Sequence, residues 1–368
     1  MTNRIGPVQK LKLDHIDVML VSAMSVVLAS YALGYRLDWS ETPVEEEETT
    51  VSEIAAPASL PSMAPSGPRP ATLEPARPEA AWTADPSDAA WEKMTSELAA
   101  LAAGHRGRVA IYLRDLKTNR TWSYHPDDLF PAASLIKVPV MASVFYKINA
   151  GELSLNDPLT LRRRYRVGGS GSLKWRPDGT RLKVSDLLVH MINESDNTAT
   201  AMLLDSIGIG YAQQQFPKMG LLYTGIYPEG MSIKGGRVAH ENYTTAREMT
   251  MLMEKIYHGE MVSKNSSSLM LDILRRKKAT ASRLAKGMPA NWEIAHKTGL
   301  LRMACHDSAI FLTPHGDYAM TVLTGQNRDY HGAKEFITAL GKITFRHYAG
   351  QGRVLAKAGK RQSQIALR

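Results

Sequence analysis

Residues 292–325, WEIAHKTGLLRMACHDSAIFLTPHGDYAMTVLTG, carry three strand patterns in succession. Trp292 to His296, Asp307 to Thr313 and Tyr318 to Gly325 each read as a strand, and Pro314 to Asp317 has the composition of a turn. The opposite end of the same region mirrors this arrangement. Arg108 to Leu116 is a strand pattern, Lys117 to Arg120 a turn, and a second strand runs through Tyr124. Helices flank both groups. Ser87 is a plausible N-cap, Trp91, Met94, Leu98 and Leu101 recur on one helical face, and Gly104 is a stop signal. A second helical pattern from about Gly332 to Tyr348 closes the region, and residues 134–290 between the two ends read as mainly helical. The expected fold class is α/β (α+β): an antiparallel sheet built from both ends of the domain, flanked by helices, plus an all-helical lobe. A cleft between sheet and lobe is the natural place for chemistry.

The rest of the chain is organised differently. From Val18 to Tyr35 it is uncharged and apolar, close to the lower length limit for a spanning helix. Arg4, Lys10 and Lys12 precede this run, and Arg36, Asp38 and Glu45 to Glu48 follow it, so the positive-inside rule places everything after Tyr35 outside the cytoplasm. Three readings compete: a signal anchor, a cleaved signal peptide with Ser30 and Ala32 as poor cleavage positions, and a buried helix. The first two both export the remainder. Nine of the 19 prolines fall between Pro43 and Pro86, among Ala, Ser, Glu and Thr. Such a segment buries too little apolar surface to offset its ordering entropy. The expected organisation is therefore 1–17 cytoplasmic, 18–35 anchor, 36–86 disordered linker, 87–350 folded domain and 351–368 a basic tail, with the chain in the cytoplasmic membrane.

With 44% apolar and 22% charged residues among 368, the chain is neither wholly disordered nor a polytopic membrane protein. A single cysteine, Cys305, excludes an internal disulfide framework and a cysteine-based zinc site. His105, His125, His190, His240, His315 and His331 show no metal-ligand spacing, and no metal or cofactor is expected. The net charge of +9 is concentrated partly in the tail (Arg353, Lys357, Lys360, Arg361, Arg368) and does not by itself argue for nucleic acid as a partner.

Three short motifs occur in order within the domain: Ser134-Leu135-Ile136-Lys137 at the start of a helix, Ser195-Asp196-Asn197 after a helix holding Leu187, Leu188 and Met191, and Lys297-Thr298-Gly299 at the end of the strand from Trp292. A serine and a lysine three apart on a helix share one face. The lysine can take the hydroxyl proton if burial or a cationic neighbour lowers its pKa. The second serine can relay that proton to a leaving nitrogen, the asparagine can hold a substrate amide, and the strand lysine and threonine can grip a carboxylate. The strand backbone beyond them can supply an oxyanion donor. Each motif alone has a plain structural reading: a helix-surface pair, a cap or turn, a strand end. All three together, each at an element boundary, make that reading improbable.

The set resembles the serine β-lactamases and penicillin-binding DD-peptidases, and among them most closely the class A β-lactamases. The resemblance covers about residues 90–350 and includes AASLIKVPVMA around Ser134, LKVSDLLVHMINESDNTATAMLL around Ser195, IAHKTGL around Lys297, and ENYTTAREM at 241–249, which is similar to the end of the family's omega loop. It implies that Ser134 is the acylated nucleophile, Lys137 its proton partner and Ser195 the proton shuttle. It further implies that Asn197 orients the substrate amide, that Lys297 and Thr298 bind the substrate carboxylate beside Gly299, and that the amides of Ser134 and Leu300 form an oxyanion hole. Two departures stand out. The family's E-x-x-L-N motif is absent: Glu229 lies at a suitable distance before ENYTT, but Ile233 stands where the asparagine belongs. Cys305 sits where many relatives carry an arginine, for which Arg302 is a possible substitute.

Three functions compete. One is an exported β-lactamase-type serine hydrolase with slow deacylation. Another is a D-alanyl-D-alanine carboxypeptidase acting on peptidoglycan peptides. The third is a non-catalytic wall-binding or sensor domain, against which the intact Ser134, Lys137 and Ser195 argue. His296 reads as packing, Cys305 as a small apolar strand residue, and Gly168 to Gly171 as a loop turn near the cleft-wall candidates Tyr165 and Trp175.

Overall fold

The computed structural model describes residues 86–365 except 229 and 231–239. The expected anchor at 18–35, the linker before residue 86, Glu229 and Ile233 lie outside the described residues. Among the described residues, no helix is long and apolar enough to cross a membrane.

The domain opens with helix α1 (Pro86–Ala103), the hairpin β1 (Arg108–Asp115) and β2 (Thr121–Tyr124), and a short strand β3 (Phe130–Pro131). A 3₁₀ turn (Ala133–Ile136) leads into α2 (Lys137–Asn149), followed by the small pair β4 (Pro158–Thr160) and β5 (Arg181–Lys183). Helices α3 (Val184–Asn193), α4 (Asn197–Ile207) and α5 (Ile209–Met219) continue the lobe. Next come β6 (Tyr243–Thr244), α6 (Ala246–His258) and α7 (Lys264–Arg275), then β7 (Glu293–Leu301), β8 (Ala304–Leu312), β9 (Tyr318–Gly325) and α8 (Tyr330–Ile365). The main sheet has the order β2-β1-β9-β8-β7. Every pairing in it is antiparallel, and β1 joins the C-terminal strands by pairing along its whole length with β9. The expected sheet from both chain ends is therefore present.

Strand alternation divides the core. Val109, Ile111 and Leu113 of β1 point to one face, where they join Met94 and Leu98 of α1 and Ile337 and Leu340 of α8. Ala110 and Tyr112 point to the other and join the core of the helical lobe. There Thr250 of α6 donates to the backbone oxygen of Tyr112 (3.3 Å). Helix α2 is buried from Lys137 through Phe145, so it runs through the lobe rather than over its surface.

Three boundaries differ from the sequence expectation. Strand β7 continues through the Lys297 motif to Leu301, and β8 begins at Ala304, so the motif lies within the strand. The hairpin turn is Arg302-Met303, with Met303 in the left-handed region (φ 64°), and lacks the Asn-Gly or Asp-Gly pair that announces such turns. The last helix does not stop near Tyr348. It runs on to Ile365, because Leu355, Ala356, Lys357, Ala358 and Lys360 are good helix formers and no proline intervenes. The basic segment after 350 is thus largely a continuation of that helix. The short pairs β3–β6 and β4–β5 carry no periodicity long enough to be read in advance.

Candidate active site

Ser134 stands on a strained turn. Ala132 donates its N–H to the backbone oxygen of Asn242 (2.6 Å), and Ala133 takes a left-handed φ of 48°, uncommon outside glycine. Leu135 and Ile136 are buried and pin the turn, leaving Ser134 half-buried one turn ahead of Lys137. The ENYTT segment closes beside it: Gly225 and Tyr243 exchange backbone hydrogen bonds, and Tyr227 donates to Asn242 Oδ1 (2.7 Å).

Ser195 occupies the turn between α3 and α4, also left-handed (φ 54°). Asp196 caps α4 by accepting from Ala199 (2.8 Å), and its second oxygen accepts from the N–H of Leu173 (2.9 Å). The glycine-rich loop is shaped by this contact. A Cβ on Gly171, whose φ is +99°, would lie 2.1 Å from the Asp196 carboxylate. The glycine is needed for close approach as well as for its dihedral. Asn197 donates from Nδ2 to Gly168 O (2.8 Å), and its own N–H donates to Ser170 O (3.2 Å), tying the same loop to the site.

The predicted residues converge. Lys137 Nζ donates to Ser195 O (2.5 Å), Asn197 Oδ1 (2.6 Å) and Ser195 Oγ (3.3 Å). Lys297 Nζ donates to Ser195 Oγ (2.9 Å) and to Thr298 O (2.8 Å). The Ser195 hydroxyl is therefore held between two lysines. Gly299 brings β7 onto the Ser134 turn: a Cβ there would lie 3.0 Å from Ala133 Cβ and 3.4 Å from Ala132 O. Leu300 is exposed beside it on the edge strand of the sheet, whose outer backbone groups are open to a ligand.

Burial sets the charges. Lys137 is held down to about 7, first by desolvation and then by the Lys277 cation, with Asp196 opposing. Lys297 lies well below the usual lysine value through desolvation and the cations of Lys137, Lys277 and Arg283. His296 is fully buried on β7, is lowered to about 3 by desolvation and then by Lys277, and faces Lys278 O (3.2 Å). It packs behind the site, as expected. Cys305 is buried too, and desolvation raises its thiol; it is an apolar strand residue rather than a redox group.

Four residues that shape the site have no motif of their own in the sequence. His306 is lowered to about 4 by burial. It lies 2.8 Å by Nε2 from Pro131 O and accepts the Thr324 N–H at Nδ1 (3.2 Å), bonding the sheet to the segment ahead of Ser134. Arg283 donates to His306 O (3.2 Å) and lies close enough to act on Lys297, whereas Arg302 is exposed on the hairpin turn. Asp307, fully buried, holds the Arg283 segment by accepting from Ser282 Oγ (2.9 Å) and the N–H groups of Arg283 (2.6 Å) and Leu284 (3.0 Å). Lys277, buried just beyond α7, is the fourth.

His190, Glu194 and Asp196 bring ligand-type atoms within 4.8 Å of one another, which their spacing did not suggest. They are already engaged. His190 pairs with Glu194 (2.8 Å), Glu194 accepts from Ser172 Oγ (2.6 Å), and both Asp196 oxygens take backbone N–H groups.

Comparison with known proteins agrees with this geometry. The chain is 24% identical to Beta-lactamase VEB-1 of Pseudomonas aeruginosa over 277 residues, 71% of this chain and 92% of that one. The β-lactamase of Sphaerobacter thermophilus superposes with a TM-score of 0.64 at 26% identity, covering 70% of this chain and 98% of the other. A mutant of PBP-A, solved as an acyl-enzyme complex with penicillin G, gives 0.64 at 27% identity, covering 70% and 97%. The model of the Beta-lactamase enzyme family matches residues 93–348. The chain is a β-lactamase-like serine hydrolase and belongs to the β-lactamase enzyme family.

Proposed function

We propose that this enzyme opens β-lactams through an acyl-enzyme on Ser134 and releases the product slowly. The observation that carries the reading is the hydrogen-bonded set Lys137–Ser195–Lys297 beside the Ser134 turn. In this mechanism neutral Lys137 takes the Ser134 proton as Oγ attacks the lactam carbonyl. The C–N bond breaks, and the ring nitrogen takes a proton through Ser195, leaving an ester on Ser134. The N–H groups of Ser134 and Leu300 face the developing oxyanion. Asn197 gives one amide hydrogen to Gly168, so its second remains for the substrate amide. A substrate carboxylate beside Lys297 and Thr298 favours the charged form of that lysine, so binding draws a proton onto it, and Arg283 adds a permanent charge.

Slow release follows from the omega-loop region. A fast deacylation base must reach one water that a second polar group also fixes. In the sequence, Glu229 is the carboxylate at a suitable distance before ENYTT, and an apolar Ile233 stands where a polar partner belongs. Glu241, the other acidic residue of that segment, accepts the N–H of Asn242 (3.0 Å) and serves loop closure. The same feature, with the likeness to PBP-A, supports a D-alanyl-D-alanine carboxypeptidase as the second reading. The test is incubation with a penicillin followed by intact-mass spectrometry over time. A persistent adduct is expected; an adduct that clears within the mixing time would mean fast turnover, and no adduct would favour a binding or sensor domain.

Lys297→Ala should slow acylation about 10- to 150-fold, the worth of one charge-assisted hydrogen bond of roughly 1.5–3 kcal/mol. A substrate analogue without the carboxylate should lose much less. Equal losses on both would remove Lys297 from carboxylate binding.

We also place the domain outside the cytoplasm, anchored through 18–35, on the charge step across that run. Protease added to spheroplasts should remove the domain, and protection would contradict the arrangement.

A further inference from the structure

Lys277 lies just beyond α7 and is almost fully buried, a place where lysine is rare unless it is partnered. Its Nζ donates to the backbone oxygen of Asn193 (2.9 Å). Asn193 is the last residue of α3, two positions before Ser195. The next residue, Lys278, offers its backbone oxygen to His296 Nε2 at 3.2 Å, and His296 immediately precedes Lys297 on β7. One dipeptide thus reaches both walls of the site, the serine turn through Asn193 and the lysine strand through His296.

We propose that Lys277 is a positioning residue of this active site, clamping the Ser195 turn against β7 and placing its ammonium group behind Lys137 and Lys297. The inference rests on the acyl-serine reading above. The clamp is consistent with the backbone it holds: Ser195 keeps a left-handed φ, a conformation that lasts only where its surroundings over-determine it. The charge acts in one direction. Lys137 faces Asp196 and Lys277, and Lys297 faces Lys137, Lys277, Arg283 and Asp307. Lys277 itself is lowered by burial and by Arg283, while the Asp307 carboxylate acts to keep it charged. Farther out, Arg275 pairs with Glu293 and Arg276 with Asp272, so these four side chains neutralise one another. A cation at Lys277 therefore favours neutral Lys137, the form able to accept the Ser134 proton.

The test uses the full chain and the variants Lys277→Met, Lys277→Gln and Lys277→Arg, each checked by thermal melting. The first readout needs no substrate: Lys137 is titrated in the unliganded protein by NMR with ¹³Cε-labelled lysine, assigned through Lys137→Arg. The second is the pH profile of acylation by a penicillin. In Lys277→Met, Lys137 should titrate at higher pH, leaving less of it neutral at pH 6. The acid limb of acylation should move the same way, and the plateau rate should fall as well. Lys277→Gln keeps a donor for Asn193 but no charge, so its acid limb should move while its plateau stays near the parental one. Lys277→Arg keeps both and should restore both. If the methionine variant does not fold, the glutamine and arginine pair decides. An unmoved Lys137 titration in Lys277→Gln, or an arginine variant displaced as far as it, would overturn the proposal. A parental chain that takes no adduct would instead defeat the acyl-serine reading, and the titration would then judge Lys277 alone.

Discussion

Ser134→Ala is expected to abolish covalent labelling by a penicillin while leaving the thermal transition close to that of the parent. The reason is chemical and local. Ser134 is the hydroxyl that lies one turn ahead of a buried lysine, on the turn whose Ala132 and Ala133 meet Gly299 of β7. The Ser195 hydroxyl of the same site is already held by both Lys137 and Lys297. The fold should survive because Ser134 is half-buried and the turn is pinned by its neighbours Leu135 and Ile136, so the change removes one exposed-side polar group and no packing. Intact-mass spectrometry after long incubation checks the outcome. An adduct of the parental mass in Ser134→Ala would transfer the nucleophile to another residue.

The second large effect belongs to Lys137. A lysine at its ordinary value would be neutral in only roughly one molecule in 3,000 at pH 7. With Lys137 near 7, about half the molecules hold a competent base at that pH. The base works in its neutral form, so acylation should fall as pH drops below about 7, approaching tenfold per pH unit, and should level off above it. Lys137→Met should lose about 10²- to 10⁴-fold in acylation rate, the usual worth of a positioned general base. Lys137→Arg should be no better, since a guanidinium does not give up its proton in this range. Because Lys137→Met also leaves Asn197 Oδ1 and Ser195 O without their donor, the melting temperature must be followed beside the rate. The pH profile of the parental chain is free of that complication. An acylation rate flat from pH 5 to 8 would exclude Lys137 as the base.

Much of this arrangement is legible before any coordinates. Strand patterns survive because each inner face is apolar at every second residue, as at Val109, Ile111 and Leu113, and local pattern is all that such a reading needs. The three motifs are legible for a similar reason: two sit where a helix starts or stops, and the third lies within a strand. Where the reading stopped short, the missing information was not local. The β7–β8 turn places Met303 in a left-handed conformation that its side chain does not favour, so tertiary pairing of Leu301 with Ala304 overrides the turn chemistry. The final helix passes Tyr348 because no proline stops it, whereas the hydrophobic stripe that a local reading follows ends there.

The amino-acid sequence by itself determined which groups are present and in what local frame: a serine and lysine on one helical face, Ser195 and Asn197 flanking a capping aspartate, Lys297 on a strand. Only the tertiary structure decided their protonation and their company. Lys137 and Lys297 are 160 residues apart, yet they share one hydroxyl, and the charge of Lys137 helps burial press Lys297 toward neutrality. Lys277, Arg283 and His306 join them from a helix end, a loop and a neighbouring strand, with no motif to mark them. A pKa is set by how completely water is excluded and by which charges lie within a few ångströms, and both depend on elements that are distant in the chain and meet only when the core closes.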